Sequence, residues 1–305
     1  MKFENIRVMN FENALRGMRN PKDSWHLSDS MYGLKKAGEA REICGDVAMK
    51  WAKWDGYNFG TEEFDDSADH YDQLLFKHGI LNKSEDNCCV EYAFIGPKDM
   101  ELAQKLIKGG SEHRKFLRQI FITVDITAPL YWWKEFDTYK VGTTANSTST
   151  MHTIEKKPIT LDCFETGDMC GIAELDCEWG EVINNYNGEV SKNKELDKYI
   201  SWCYDDANSM TCEFINFLED LRKKYLLTKD KRYWKELIRW LPESWLQTRT
   251  VTLTYENVFA MRHQRKGHKL VEWSLPTIDT DSEVFKSFIQ FTDALPYVDM
   301  LFKNK

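Results

Sequence analysis

The sequence predicts a protein of mixed α and β content, and three stretches carry that expectation. Ile120, Ile122, Val124 and Ile126 alternate with Phe121, Thr123, Asp125 and Thr127, the two-residue period that gives a strand one apolar row. Lys98 to Gly110 keeps Met100, Ala103, Leu106 and Ile107 on one helical face, then ends on Gly109-Gly110, which accept a left-handed stop. Glu195 to Leu227 holds helical spacing in Phe214, Phe217, Leu218, Leu221 and Tyr225. Its Arg222, Lys223 and Lys224 lie near the C-terminal end, where the helix dipole favours cations.

The other elements follow in order. Residues 1–30 mix apolar and polar types without a long period, and Asn20-Pro21 marks a turn. Met31 to Trp54 reads as a helix from the spacing of Ile43, Val47, Trp51 and Trp54, against the pull of Gly33, Gly38 and Gly45. Asp55 to Asp72 is acidic; it lacks the spacing and glycine of a calcium loop, so it reads as a solvated loop. Tyr71 to His78 reads as a helical turn or two, and Cys88 to Ile95 as a short strand closed by Gly96-Pro97. Pro129 cannot donate to a ladder and so ends the 120–127 strand or sits at its edge. The aromatic, charged run Leu130 to Lys140 comes next. Gly142 to Thr150 is rich in Ser, Thr and Asn, whose side chains compete for backbone hydrogen bonds and favour loops. Ile154 to Asn193 reads as an irregular insertion, and Asp230 to Leu241 as a helix stopped before Pro242. With no internal repeat or low-complexity linker, the expectation is one unit over residues 1–305.

Composition narrows the function classes. The chain has 305 residues, 42% hydrophobic and 30% charged, values of an ordinary soluble globular protein. A net charge of -8 argues against general nucleic-acid binding, which relies on a basic field. A mononucleotide needs only one or two local cations and stays open. Eleven Trp, thirteen Tyr and seventeen Phe can pack a core, stack on a flat ligand or line subunit contacts. The first residues hold no apolar signal core, and no run of about 18 apolar residues suits a membrane span, so the expected location is cytoplasmic, with no membrane partner and with reduced thiols. Cys163, Cys170 and Cys177 recur regularly but lack the close pairs that zinc prefers, and no metal is expected.

The stretch Arg114 to His152 carries the chemistry: a strand, a charged aromatic element, then hydroxyls and amides suited to a ligand with several oxygens. It resembles the core motif of the flavin-dependent thymidylate synthases, F-E-H-x-x-F-T-F-x-I-x-x-P, an aromatic run with Arg-Gln, then R-H-R-x-x-S-x-N-E-x-S-x-R-Y. Leu117-Arg118-Gln119 falls at Phe-Glu-His, and Pro129 matches the motif's proline. Lys134-Glu135 falls at Arg-Gln, and Thr138-Tyr139-Lys140 at Arg-His-Arg. After one inserted residue, Thr144, Asn146, Ser147, Ser149, Met151 and His152 stand at Ser, Asn, Glu, Ser, Arg and Tyr. A second block, Leu241 to Glu272, matches in Leu241-Pro242 and Thr252. There Thr254 and Glu256 stand at the family's N-x-R, Arg265 at a later Arg, and His268 to Glu272 overlay the next family segment across one deletion.

The resemblance implies an α+β fold, a mixed or antiparallel sheet flanked by helices, with core motif 114–152, an insertion at about 154–193 and a second block at 241–273. It implies FAD as cofactor, a nucleotide-like small-molecule ligand and a homotetramer whose sites lie between subunits. Carried over position by position, it puts Ser149, Tyr139 and His268 in catalysis. Thr144, Asn146, Ser147, Arg265 and Glu272 fall to the substrate, and Lys134, Glu135, Lys140 and Thr252 to the cofactor. Arg265, His268, Lys269 and Glu272 have spacings that would share one side of a helix. Two departures stand out: Met151 and Glu256 occupy positions where the family grips phosphate with arginines. A phosphate dianion prefers guanidinium forks, and a carboxylate there would repel it. The expectation is a divergent flavin- and nucleotide-binding enzyme, of methyltransferase or oxidoreductase type, that does not make dTMP in the usual way. The alternative is a binding or structural homo-oligomer that kept the fold and lost the chemistry. In either case residues 143–152 and 265–272 are expected to meet at one pocket.

Overall fold

The computed structural model describes residues 1–36, 79–83, 89–166, 181–183, 190–192, 197–275 and 285–302. In chain order the elements are β1 (Lys2–Met9), α1 (Phe11–Arg19), β2 (Met31–Lys36), β3 (Gly79–Lys83), β4 (Cys89–Phe94), α2 (Pro97–Lys108), β5 (Phe121–Pro129), α3 (Leu130–Phe136), β6 (Thr144–Ser147) and α4 (Thr150–Thr153). They continue as β7 (Glu181–Ile183), β8 (Val190–Lys192), α5 (Asp197–Thr228), α6 (Lys231–Arg239), β9 (Leu246–Thr254), α7 (Tyr255–Arg265), α8 (Val271–Ser274), α9 (Phe288–Asp293) and α10 (Val298–Leu301). The largest sheet has the order β1-β5-β9-β6; β2-β4-β3 and β7-β8 form two smaller antiparallel sheets. Side-chain bonds join Thr127 to Thr248 and Asp125 to Thr250, so numbers fall along β5 as they rise along β9, and these strands run antiparallel. The class is α+β, with an antiparallel sheet flanked by helices, as the sequence led one to expect.

The chain forms two compact units. The first comprises Met1–Ile126, Tyr139–Asn146 and Thr250–Lys305. Its core is the apolar row of β5, where Ile122, Val124 and Ile126 are wholly buried, together with Val251 and Leu253 of β9 and Tyr255, Val258 and Met261 of α7. Aromatic rings join the elements: Phe3 of β1 stacks on Phe291 of α9 at 4.7 Å, and Phe11 of α1 meets Tyr255 of α7 edge-on at 5.3 Å. The apolar face expected for α2 is buried at Met100, Ala103 and Ile107. Buried Asp99 accepts hydrogen bonds from Arg19, Ser28 and Ser30, so this charge is paired and solvated by protein.

The second unit comprises Thr127–Thr138 and Ser147–Arg249. Trp132, Trp133 and Phe136 of α3 are buried, and Trp132 stacks on Phe136 at 5.1 Å. Ile154, Ile159, Phe164, Leu218, Leu221 and Leu237 form one apolar cluster, which Arg222 borders while paired with Glu219 at 2.7 Å.

Several local expectations change. Met31–Lys36 is a strand paired with β4 and not the start of a helix, because cross-strand pairing outweighs a weak apolar period interrupted by glycines. Residues 37–78 lie outside the described part, and with them the rest of that helix, the acidic loop and the turn at 71–78. The hydroxyl-rich stretch at 143–152 is not a loop: it forms β6 and then α4, and the Thr148 N–H donates to Thr248 O at 2.9 Å. Ile154, Ile159 and Phe164 are buried, so the beginning of the stretch read as an insertion belongs to a core; residues 167–180, 184–189 and 193–196 lie outside the described part.

Candidate functional site

The site forms in the first unit where α7 begins. Thr254 caps that helix: its Oγ1 accepts from Asn257 N and donates to Asn257 Oδ1 at 2.7 Å, and Asn257 Oδ1 also accepts from Thr254 N. The Asn257 amide nitrogen donates to Val141 O at 2.7 Å, which ties the turn at 139–143 to the helix. Gly142 sits at φ +79, and a Cβ there would lie 3.0 Å from Asn257 Oδ1, so both conformation and closeness call for glycine. The Thr143 hydroxyl donates to Tyr139 O and closes the turn.

At the other end of α7 the same turn meets Arg265. Arg265 Nε donates to the Tyr139 hydroxyl at 2.7 Å, and that hydroxyl donates to Gln264 Oε1 at 2.9 Å. The guanidinium lies 5.3 Å from the Tyr139 ring centre and 4.7 Å from that of Trp273, a cation set against two rings that meet each other at 6.2 Å. Trp273 is wholly buried, and the His268 ring meets it edge-on at 6.4 Å. His268 is held by its own chain: Nδ1 accepts from Leu270 N, and its carbonyl accepts from the Ser274 hydroxyl. A half-buried guanidinium beside aromatic rings is suited to an anion or carbonyl attached to a flat ring.

Tyr139, Arg265 and His268 are thus brought together around Trp273, and buried Glu272 is Trp273's neighbour on α8. The spacing argument that put the second block on one helix fails, because α7 ends at Arg265 and Gly267 takes φ +83, a left-handed stop. His268, Lys269 and Glu272 therefore reach their places through a turn and a second short helix. Thr252 is half-buried on β9; Thr144 and Asn146 are exposed on β6, and Lys140 is exposed beside Tyr139. In the second unit Ser147 and Ser149 are exposed, Glu135 is half-buried on α3, and Lys134 pairs with Glu243.

Glu256 behaves differently from the carboxylate the sequence led one to expect. Arg114 holds it with Nε at 3.0 Å from both oxygens and Nη2 at 2.9 Å from Oε1, while stacking over Phe259. The charge is neutralised in a bidentate pair, which offsets the repulsion it would exert on a phosphate. Met151 is exposed on α4 and offers no charge.

The sequence reading missed Asn257, Gln264, Trp273 and Arg114. A Thr three residues before Asn257 at a strand end is a capping signal that could have found the first; nothing local announces the others. It also missed Arg249, which in the second unit lies 4.2 Å over the Trp133 ring and donates to Gln247 and Asp137. On the sheet, Thr250 and then Asn5 donate to Asp125 and hold its carboxyl below the usual carboxylate range. Among the described residues no cluster of His, Cys, Asp and Glu could hold a metal, and no helix is long and apolar enough to cross a membrane.

No family model and no curated protein matches the chain. Among solved structures it is similar to a flavin-dependent thymidylate synthase of Helicobacter pylori complexed with FAD and dUMP: 14% identity, 72% of this chain and 85% of that one covered, TM-score 0.39. A second structure of thymidylate synthase from that organism, with FAD and dUMP, shows 13% identity over 99% and 98% of the two chains, TM-score 0.45. A UMP/dUMP methylase of Streptomyces cacaoi bound with 5-Br UMP shows 11% identity over 59% and 71%, TM-score 0.36. At such identities and scores, these likenesses carry no argument about ligand, cofactor or assembly.

Proposed function

We propose that the protein is a divergent member of the flavin-dependent thymidylate synthase superfamily, an enzyme that binds FAD and modifies a pyrimidine nucleotide or related small molecule by a route other than ordinary dTMP synthesis. One observation carries this reading. Tyr139, from the first resembling block, and Arg265, from the second, share a hydrogen bond although 126 residues separate them. Two blocks matched independently along the sequence thus contribute to one aromatic, cationic cluster. Lys140 would hold the cofactor, Tyr139 and His268 would act in catalysis, and Arg265 would take the substrate's anionic or carbonyl group, with Thr144 and Asn146 as further polar contacts. A bound flavin supplies the redox chemistry; the chain supplies orientation and charge. The functional unit is a cytoplasmic homotetramer.

The test is direct. Protein purified under native conditions should be yellow, with a flavin absorbance band, and should release FAD on denaturation. A colourless protein that takes up neither FAD nor dUMP in equilibrium dialysis overturns the reading. A second reading, a binding or structural homo-oligomer without chemistry, draws support from a specific feature: Glu256 and Lys134, at positions the resemblance gives to ligands, are both tied up in internal ion pairs. Self-association without flavin or nucleotide binding would favour it.

A further inference from the structure

We infer that Asn257 is a positioning residue of this site: it holds the 139–143 turn against the first turn of α7 and so sets the Tyr139–Arg265 contact. The helix cap uses only the side-chain oxygen, which accepts from Thr254 N at 3.0 Å and from Thr254 Oγ1 at 2.7 Å. An aspartate would serve that cap as well, with the added favour of the helix dipole. The amide nitrogen has no part in the cap. It donates to Val141 O at 2.7 Å, and because a carbonyl oxygen only accepts, the atom facing it must be the nitrogen.

Geometry makes this latch consequential. Asn257 and Arg265 stand eight residues apart on one helix, a rise of about 12 Å. The turn spans that length, fastened through Val141 at one end and through the Tyr139 hydroxyl at the other. Gly142 permits the approach, since a Cβ would press on Asn257 Oδ1 at 3.0 Å and Nδ2 at 3.4 Å. Tyr139 is therefore placed by an amide at the far end of the helix from Arg265.

Asn257→Asp separates latch from cap, because it keeps the acceptor and sets an oxygen against the Val141 carbonyl. The melting temperature should stay within a few degrees. The Arg265 Nε–H resonance, assigned by its loss in Arg265→Lys, should exchange with water about tenfold faster, the change expected for one lost hydrogen bond. The ligand arm rests on the proposed function: affinity for FAD and dUMP should fall about tenfold, and Asn257→Asp should add nothing to Tyr139→Phe. Unchanged Arg265 exchange in Asn257→Asp overturns the inference. Faster exchange in a protein whose wild type binds neither FAD nor dUMP would sink the functional reading and leave the positioning role standing. If Asn257→Asp does not fold, Gly142→Ala displaces the turn from the opposite side and must produce the same faster exchange.

Discussion

At the scale of single residues, hydrogen-bond donors govern charge. Asp125 bridges three strands, accepting from Thr250 at 2.6 Å and from Asn5 at 2.7 Å, and these donors favour its ionised form. Its folded pKa lies below the unfolded value near 4, so its stabilisation is present above that pH and disappears as the pH falls through the folded value. The gap in melting temperature between wild type and Asp125→Ala should therefore narrow as the pH is lowered from neutrality to below about 4; a gap constant across that range would contradict the assignment. In the candidate site, Arg265→Ala and Asn146→Ala should each weaken ligand binding by about 1–3 kcal/mol, with little change in melting temperature. Calorimetric titration with dUMP reads this directly, and full affinity in both variants would remove these residues from the site.

At the scale of elements, α3 shows how a short helix gains permanence from packing. Its seven residues are too few to be stable alone, yet Trp132, Trp133 and Phe136 are buried and contact one another edge-on or stacked. The Trp133 indole also donates to Gln247 O at 2.9 Å. Trp132→Ala should cost about 3–5 kcal/mol in denaturant unfolding, since it opens a cavity in a wholly buried ring cluster. A loss below about 1 kcal/mol would mean that the second unit collapses to fill the space. The α7 helix makes the complementary point: its capping box fixes where it begins and Gly267 where it ends, so Arg265 falls at the last turn and faces Tyr139.

At the scale of the whole molecule, the proposed assembly and chemistry are separately testable. Light scattering at micromolar concentration should give about four times 36.0 kDa; a monomer would count against a site built between subunits. The gene should fail to rescue a thymidine-requiring bacterial strain. Met151 offers no guanidinium for a phosphate, Thr138-Tyr139-Lys140 lacks the Arg-His-Arg clamp, and the Thr138 hydroxyl is spent on Glu135 O within its own turn. Rescue would show that cations such as Lys140 or Arg265 had taken over both tasks.

What the sequence determined by itself was whatever depends on near neighbours. The alternation at 120–127 became β5, the glycine-stopped period became α2, and the helical spacings after 195 and 230 became α5 and α6, because amphipathic period and caps act within a few residues. Mixed α and β content was legible there from the residues, and the α+β class with an antiparallel sheet from the resemblance. Tertiary structure alone decided that Met31–Lys36 is a strand, because its partner lies at Cys89–Phe94, and that the hydroxyl-rich stretch after Thr143 becomes β6 and α4. It alone neutralised Glu256 with Arg114, 142 residues away, and placed Arg265 against the rings of Tyr139 and Trp273. The physical reason is common to all of these: strand pairing, ion pairing and ring contact are satisfied by whichever group arrives in space, and the separation of those groups along the chain leaves no periodic trace.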